Sequence, residues 1–202
     1  GLPVDEYKES KSSLEEQLND LIIPIWRKDP TGKPSIVKKS KIIPQPFGTI
    51  FNIMLNDNGD IMDEKYAHSK IGVIDIGFRT TDFVVSDNLE FVDKLSKTST
   101  TAISSAYKII SRKLKEEYGI DKPVYKLDKI TQKGIVKYRG ENIDITDMKE
   151  RAYKLISQKI ASDLKTLWSD LWEFDYILIT GGGGIVIYPY LTNIVDVKSL
   201  QV

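Results

Sequence analysis

A run of four glycines, Gly181-Gly182-Gly183-Gly184, follows directly on an apolar strand pattern, Tyr176-Ile177-Leu178-Ile179-Thr180. Glycine loses more conformational entropy on folding than any other residue, so four in succession are costly unless the backbone must turn tightly or lie against something flat. The segment Ile185–Leu191 behind them reads as a short helix. Buried strand, glycine turn and helix together make one unit of an α/β layered fold. Two readings stand at this turn. One is a strand–helix connection that needs only backbone freedom. The other is a surface where a phosphate or a flat ring lies against bare backbone at a helix start. The run is not a P-loop, because no Lys-Ser/Thr follows, and it lacks the helix and ribose-binding acid of the dinucleotide fingerprint.

A second strand end carries polar chemistry. Asp75-Ile76-Gly77-Phe78-Arg79-Thr80-Thr81-Asp82 places a carboxylate at the end of an apolar run, then a glycine, two hydroxyls and a second carboxylate. As an ordinary hairpin this needs only a tight glycine turn. As a phosphate loop, Gly77 exposes backbone N–H groups that hold phosphate oxygens together with the Thr80 and Thr81 hydroxyls. In that reading Asp75 holds Mg²⁺ through water or orients an attacking water, since magnesium keeps several waters and takes few carboxylates. Both motifs end buried strands, so both can open on one cleft at one edge of a sheet.

The rest of the chain supports a layered fold. Residues 5–21 predict an amphipathic helix with Asp5 as N-cap and Tyr7, Leu14, Leu18 and Leu21 on one face. Two short strands, Ile22–Arg27 and Ile36–Ile43, flank the Asp29-Pro30-Thr31-Gly32 turn. Pro44-Gln45-Pro46 breaks the second strand, and residues 47–56 show a short buried-helix pattern. Asn56–Asp60 is a turn cluster, and the polar stretch to Lys70 marks a boundary. Gly72–Ile76, Thr81–Val85 and Glu90–Leu95 form a three-stranded meander. A helix is expected from about Thr98 to Tyr118, ended by Gly119. Residues 120–143 are less readable, with a small hairpin of Gly134–Arg139 and Glu141–Ile145 around Gly140. A long helix runs from Thr146, its N-cap, to about Trp172.

Composition removes several function classes. The 202 residues are 41% hydrophobic and 29% charged, with 29 basic and 29 acidic side chains. That is the balance of a folded globular chain. Zero net charge argues against non-specific electrostatic binding to nucleic acid or anionic membrane. Cysteine is absent, which excludes disulfides, thiolate metal sites and thiol catalysis and fits a reducing compartment. A single histidine, His68, leaves no multi-histidine zinc site. No stretch approaches the roughly 20 apolar residues of a membrane span.

With both motifs in place, the sequence resembles the actin-like ATPases, the superfamily of actin, the heat-shock chaperone ATPases and the sugar kinases. Within it the likeness is to the ParM/StbA type of plasmid-segregation protein and to archaeal actin-like proteins. Asp75–Asp82 is similar to that family's second phosphate motif, Asp-x-Gly-x-[Arg/Thr]-Thr-x-Asp. Thr180–Gly184 is similar to its adenosine motif. Gly1-Leu2-Pro3 before a charged, tyrosine-containing helix fits the family's middle region. Pro44-Gln45-Pro46-Phe47-Gly48 is similar to the segment before its linking helix. The likeness spans essentially the whole chain and keeps the motif order.

The resemblance implies an α/β, ribonuclease-H-like fold of actin type, a mixed sheet with flanking helices. Residues 1–60 would be the C-terminal part of domain I. Residues 70–202 would be domain II, with a small inserted subdomain around 120–145. By position, Gln45 would place the attacking water and Asp75 would act through Mg²⁺ and that water. Gly77, Arg79, Thr80, Thr81 and Asp82 would line the phosphate site. Gly181, Gly182 and Gly183 would pack against adenosine and its α-phosphate, with Gly184 closing the motif. Lys149, or a neighbour on its helix, would touch the base or ribose. The residues themselves make Gln45 only a polar loop residue between two prolines.

The implied cofactors are ATP and Mg²⁺, and the implied activity of the intact protein is ATP hydrolysis that gates filament assembly in the cytoplasm. The implied partners are further copies of the chain and a DNA-bound adaptor, with no direct contact to nucleic acid or membrane. A metabolite kinase or chaperone-type ATPase of the same superfamily, or a non-enzymatic scaffold, are the competing readings. The family's first phosphate loop and its C-terminal closure are missing from the sequence. The expectation is therefore a fragment incomplete at both ends, a poor ATPase by itself because phosphoryl transfer needs the phosphates clamped from both sides. Sheet edges laid bare by truncation would promote self-association.

The remaining features have plain readings. His68 lies in a polar connector as a solvated residue. Lys33, Lys38, Lys39 and Lys41 read as a solvated insert. Trp168 and Trp172, four apart, read as core or helix packing. Glu15, Glu16, Glu116 and Glu117 read as helix-surface charges.

Overall fold

Val, Ile and Phe at alternating positions build the central sheet, because branched and aromatic side chains suit a pleated surface buried on both sides. The computed structural model describes residues 2–20, 24–25, 35–36, 41–195 and 199–201. Its main sheet is formed by β3 (Lys70–Ile76), β4 (Thr81–Asp87), β5 (Glu90–Phe91), β6 (Lys97–Ser99), β9 (Tyr176–Thr180) and β10 (Ser199–Gln201). The order is β10-β9-β3-β4-β5, with β6 also beside β4. Strand β3 runs antiparallel to β4 and parallel to β9, and β9 runs parallel to β10, so the sheet is mixed. Two short pairs lie outside it: β1 (Pro24–Ile25) with β2 (Ser35–Ile36), and β7 (Ile135–Tyr138) with β8 (Glu141–Asp144).

The alternation along each strand sorts the core into two layers. Ile74, Ile76, Phe83, Val85, Ile177 and Ile179 face one side. There they meet α3 (Ile103–Tyr118), α5 (Thr146–Leu167) and α6 (Gly184–Leu191). Ile71, Val73, Val84 and Leu178 face the other side, against Val4 of α1 (Val4–Asp20) and Phe47 and Ile50 of α2 (Phe47–Met54). The N-terminal elements thus share a core with the strands that follow them. A small unit of α4 (Leu127–Lys133) and the β7–β8 hairpin stands between α3 and α5. No helix among the described residues is long and apolar enough to cross a membrane.

The first two strands of the meander, the β7–β8 hairpin, strand β9 and the short helix after the glycines stand where the sequence predicts them, while the third strand, expected over Glu90–Leu95, is confined to Glu90–Phe91 and gives way to a helical turn at Asp93–Leu95. The expected strands on either side of Asp29–Gly32 are described only as β1 and β2; that turn, Leu21, Lys33, Lys38 and Lys39 lie outside the described residues.

Five further expectations are corrected. The segment at Thr98 is strand β6, paired with Thr81–Phe83, and α3 starts at Ile103. A Lys-Thr-Ser-Thr-Thr run of β-branched and hydroxyl residues favours the extended state, and Ser99 Oγ is held by Asp163 at 2.8 Å. Asp5 sits inside the first turn of α1 rather than capping it. Asp144 Oδ1 accepts the Thr146 N–H at 2.8 Å, so the capping oxygen of α5 belongs to Asp144. Helix α5 stops at Leu167, because Trp168 leaves helical geometry and sends its indole N–H to the Leu95 carbonyl at 2.7 Å. Trp168 is therefore 1% exposed and core, whereas Trp172 is 81% exposed and is not.

Candidate functional site

Parity along the strands decides which side chains meet. Asp75 shares its face with Ile71 and Val73, and Asp82 shares its face with Val84, so both point to the α1–α2 side. The β3–β4 register sets Asp75 opposite Asp82, and the β3–β9 register sets it beside Thr180. Three strand ends therefore converge on one half-buried carboxylate. Burial, and secondarily the charge of Asp82, holds the Asp75 carboxyl above its ordinary range.

The glycine run closes over this carboxylate. Gly181 has φ +86°, and a Cβ there would collide with Asp75 Oδ1 and lie 2.5 Å from the Ile76 carbonyl oxygen. Gly183 donates its N–H to that same carbonyl at 2.8 Å, and a Cβ on it would meet Ile76 and Ile103 within 3.0 Å. These two positions exclude any side chain. Gly182 differs, for it is exposed and a Cβ there meets nothing within 4 Å. Gly184 N–H bonds the Gly181 carbonyl at 2.9 Å as α6 begins. The two motifs read from the sequence are in this way brought into one place, strand end against glycine turn.

Within the hairpin, some of the expected groups are already engaged. The Gly77 N–H donates to the Thr80 carbonyl at 2.9 Å and closes the turn. The buried Thr81 hydroxyl donates to the Thr101 carbonyl at 2.7 Å, on the helix side of the sheet. Its proton is thus spent on the fold. The Ile103 and Ser104 N–H groups at the start of α3 donate to the Gly77 and Phe78 carbonyls at 3.4 and 3.1 Å. Phe78 and Arg79 stand exposed at the tip, and Thr80 is partly exposed beside them. Asp82 is buried, and its Oδ1 accepts from Thr98 Oγ1 at 2.5 Å and from the Val4 N–H at 3.4 Å.

Gln45 has an exposed side chain, while its backbone N–H donates to the Leu2 carbonyl at 2.7 Å. It therefore lies on the layer that faces the Asp75 side of the sheet. Among the described residues no hydrogen bond joins it to Asp75. Lys149 lies in the first turn of α5, partly exposed, with its N–H on the Ile145 carbonyl. It touches neither Asp75 nor the glycines through any hydrogen bond among the described residues. Its neighbours Glu150 and Arg151 instead line a cavity of about 590 Å³ with Lys154, Tyr190 and Asn193. His68 is exposed, as expected. The sequence reading missed Val4, Thr98 and Thr101, because each acts through a long-range bond that local pattern does not encode. The Thr-rich run at 98–101 was their one visible signal.

The donor set fits a nucleotide with magnesium. A half-buried carboxylate sits at a strand end, and an open stretch of backbone at Gly182 lies between two glycines that pin it to that strand. A hard divalent cation takes oxygen donors of this kind.

Residues 73–193 match the model of the family described as archaeal actin homologue MreB-like, C-terminal. Among solved structures, a 15-stranded ParM filament from Clostridium botulinum is 26% identical with a TM-score of 0.72, covering all of this chain and 60% of that one. A non-polymerisable quadruple mutant of pCBH ParM is likewise 26% identical, TM-score 0.71, covering all of this chain and 62% of that one. The archaeal actin homologue Ta0583 in complex with ADP is 20% identical, TM-score 0.66, covering 95% of this chain and 60% of that one, a likeness of fold. The chain thus spans about three fifths of the length of these solved relatives. No curated protein matches it.

Proposed function

Because the chain belongs to the archaeal actin homologue MreB-like, C-terminal family, we propose that it forms the larger part of an actin-like ATPase that binds Mg-ATP and assembles into filaments. The observation that carries this reading is the convergence of Asp75 with Gly181–Gly183 at one end of the sheet. Residues 1–60 are read as the end of domain I and residues 70–202 as domain II, with the α4–β7–β8 unit as its inserted subdomain. The nucleotide lies at the strand end where Asp75 meets Gly181–Gly183.

In this reading each residue has a stated task. The Asp75 carboxylate accepts a hydrogen bond from the attacking water and orients it in line with the terminal phosphate. The Gln45 side chain, exposed on the facing layer, fixes the same water from the other side. Gly182 lets a flat or anionic group approach the backbone, and Thr80 and Arg79 at the hairpin tip bound the phosphate end. Magnesium, when bound through Asp75 and water, offsets the phosphate charge. The family likeness to ParM, which forms filaments in the C. botulinum structure, supports self-association, and DNA segregation through an adaptor is the cellular role we infer.

The test is sedimentation and phosphate release by the full-length gene product with Mg-ATP, Mg-ADP and no nucleotide, with Asp75→Ala as control. ATP-dependent pelleting altered in the variant is the expected result. Hydrolysis with no pelleting at any concentration would replace the filament with a kinase or chaperone-type ATPase. Neither pelleting nor hydrolysis would leave a scaffold.

A further inference from the structure

Asp82 is buried beside its register partner Asp75, and among the described residues no lysine or arginine forms an ion pair with it. A buried carboxylate is expensive unless hydrogen bonds replace its water. Here the donors come from two distant parts of the chain: the Thr98 hydroxyl at 2.5 Å, from the neighbouring strand, and the Val4 N–H at 3.4 Å, from the first turn of α1. Thr98 is engaged a second and third time. Its Oγ1 accepts the Asp5 N–H at 3.4 Å, and its own N–H donates to Asp5 Oδ1 at 3.4 Å. Two successive amides at the start of α1 therefore end on the Asp82–Thr98 pair.

The same short segment carries Gln45. The Leu2 carbonyl accepts the Gln45 N–H at 2.7 Å, and Leu2 N–H donates to the Ile43 carbonyl at 3.4 Å. Leu2 and Pro44 form a parallel bridge. A continuous chain of bonds thus runs from β4 through Asp82 and Thr98 to Val4 and Asp5, back two residues to Leu2, and across to Gln45. At the other end of the chain, Asp82 is one strand away from Asp75.

We propose that Asp82 and Thr98 are positioning residues that fasten the Gln45 turn to the strand end carrying Asp75. This rests on the reading of Asp75 and Gln45 given under Proposed function. Asp82 then belongs to the support of the site and does not line the phosphates. Beside the packing of Phe47 and Ile50 on the same face, the arrangement ties the spacing of the two water-orienting groups to one hydroxyl, Thr98, which touches neither of them. A misplacement of about 1 Å at such a site costs on the order of a hundredfold in rate.

Thr98→Val removes the hydroxyl at nearly constant shape, and Thr98→Ser keeps it. Both are made in the full-length gene product. Thr98→Val should lower kcat for ATP hydrolysis by about tenfold or more while KM stays within about twofold, and Thr98→Ser should restore kcat. Amide hydrogen exchange supplies a readout without turnover: the Val4, Asp5 and Gln45 amides should exchange faster in Thr98→Val and at the wild-type rate in Thr98→Ser. If Thr98→Val does not fold, Asp5→Ala, which removes the Asp5 carboxylate from the Thr98 N–H, should shift the same amides in the same direction. Unchanged exchange at Gln45 overturns the connection whatever the activity. Wild-type kcat in Thr98→Val, with Asp75→Ala inactive, overturns the positioning role and leaves the reading of Asp75 intact. Absence of hydrolysis by the wild-type protein overturns that reading, and the positioning role falls with it.

Discussion

Gly181 and Gly182 are adjacent and chemically identical, yet substitution should affect them in opposite ways. At Gly181 an alanine must hold φ near +86° with its methyl group against Asp75 and the Ile76 carbonyl. Strain of that kind costs about 1–3 kcal/mol, so Gly181→Ala should lower the melting temperature. At Gly182 the methyl group meets open space, and Gly182→Ala should leave stability within about 0.5 kcal/mol. Nucleotide binding should nonetheless weaken in Gly182→Ala if a ligand lies on that backbone. Thermal unfolding beside a fluorescent-nucleotide titration separates the two effects.

Asp75 gives a second prediction at this scale. Its folded pKa lies above the ordinary 3.8, so the folded state keeps the proton to higher pH than the unfolded chain does. The stability this supplies is complete below the unfolded value and is lost as pH rises through the folded one. At neutral pH the charged carboxylate is a net cost. Asp75→Asn should therefore melt higher than wild type at pH 7 while losing hydrolysis, and the gap should close as pH falls towards 3.8. A variant less stable than wild type at neutral pH would contradict the burial of the charge.

At the scale of elements, the two tryptophans at the end of α5 show what periodicity reads and what it misses. The three- and four-residue recurrence through Met148, Ala152, Leu155, Ile156, Ile160 and Leu164 follows the buried stripe except at Leu155, which is exposed. It cannot see that Trp168 turns out of the helix because the Leu95 carbonyl, 73 positions away, takes its indole N–H. Trp168 also meets Phe83 and Phe174 at ring-centroid distances of 5.9 and 4.9 Å. Trp168→Ala should cost about 3–5 kcal/mol, and Trp172→Ala, at an exposed position, no more than about 0.5 kcal/mol, both by denaturant unfolding.

The strand at Thr98 was hidden for the same reason, since its partner Thr81–Phe83 is distant in sequence. Strand β10 was hidden too, lying beyond the last segment that the sequence pattern resolves. Helix α4 was lost within a stretch of mixed polarity. By contrast, β3, β4, β9 and both glycine-bearing turns were legible, because local alternation and glycine placement specify them without help from afar. The candidate site shared this division. Asp75 and the glycines stood out, while the bonds that consume the Thr81 hydroxyl and bury Asp82 depended on tertiary neighbours.

For the whole molecule, zero net charge has a direct consequence. Binding to bare DNA draws on release of counterions by clustered basic groups. The chain should give no shifted complex with duplex DNA at about 150 mM salt, and any DNA retention in the cell should need a second protein. Salt-sensitive binding by the isolated chain would overturn the neutral-surface argument.

Helix α3 is joined to the β3–β4 hairpin at its start. Its first two amides donate to the carbonyls of Gly77 and Phe78, so the hairpin tip is fastened to the start of the helix. The helix has 16 residues, which makes it a rod about 24 Å long. A tilt of about 5° at the hairpin displaces the far end by about 2 Å over that length. That far end, at Arg112, Lys113 and Tyr118, forms one wall of a groove of about 480 Å³ against Met148 and Arg151 of α5. The helix therefore links the Gly77–Thr80 hairpin at one end to the outer surface at the other.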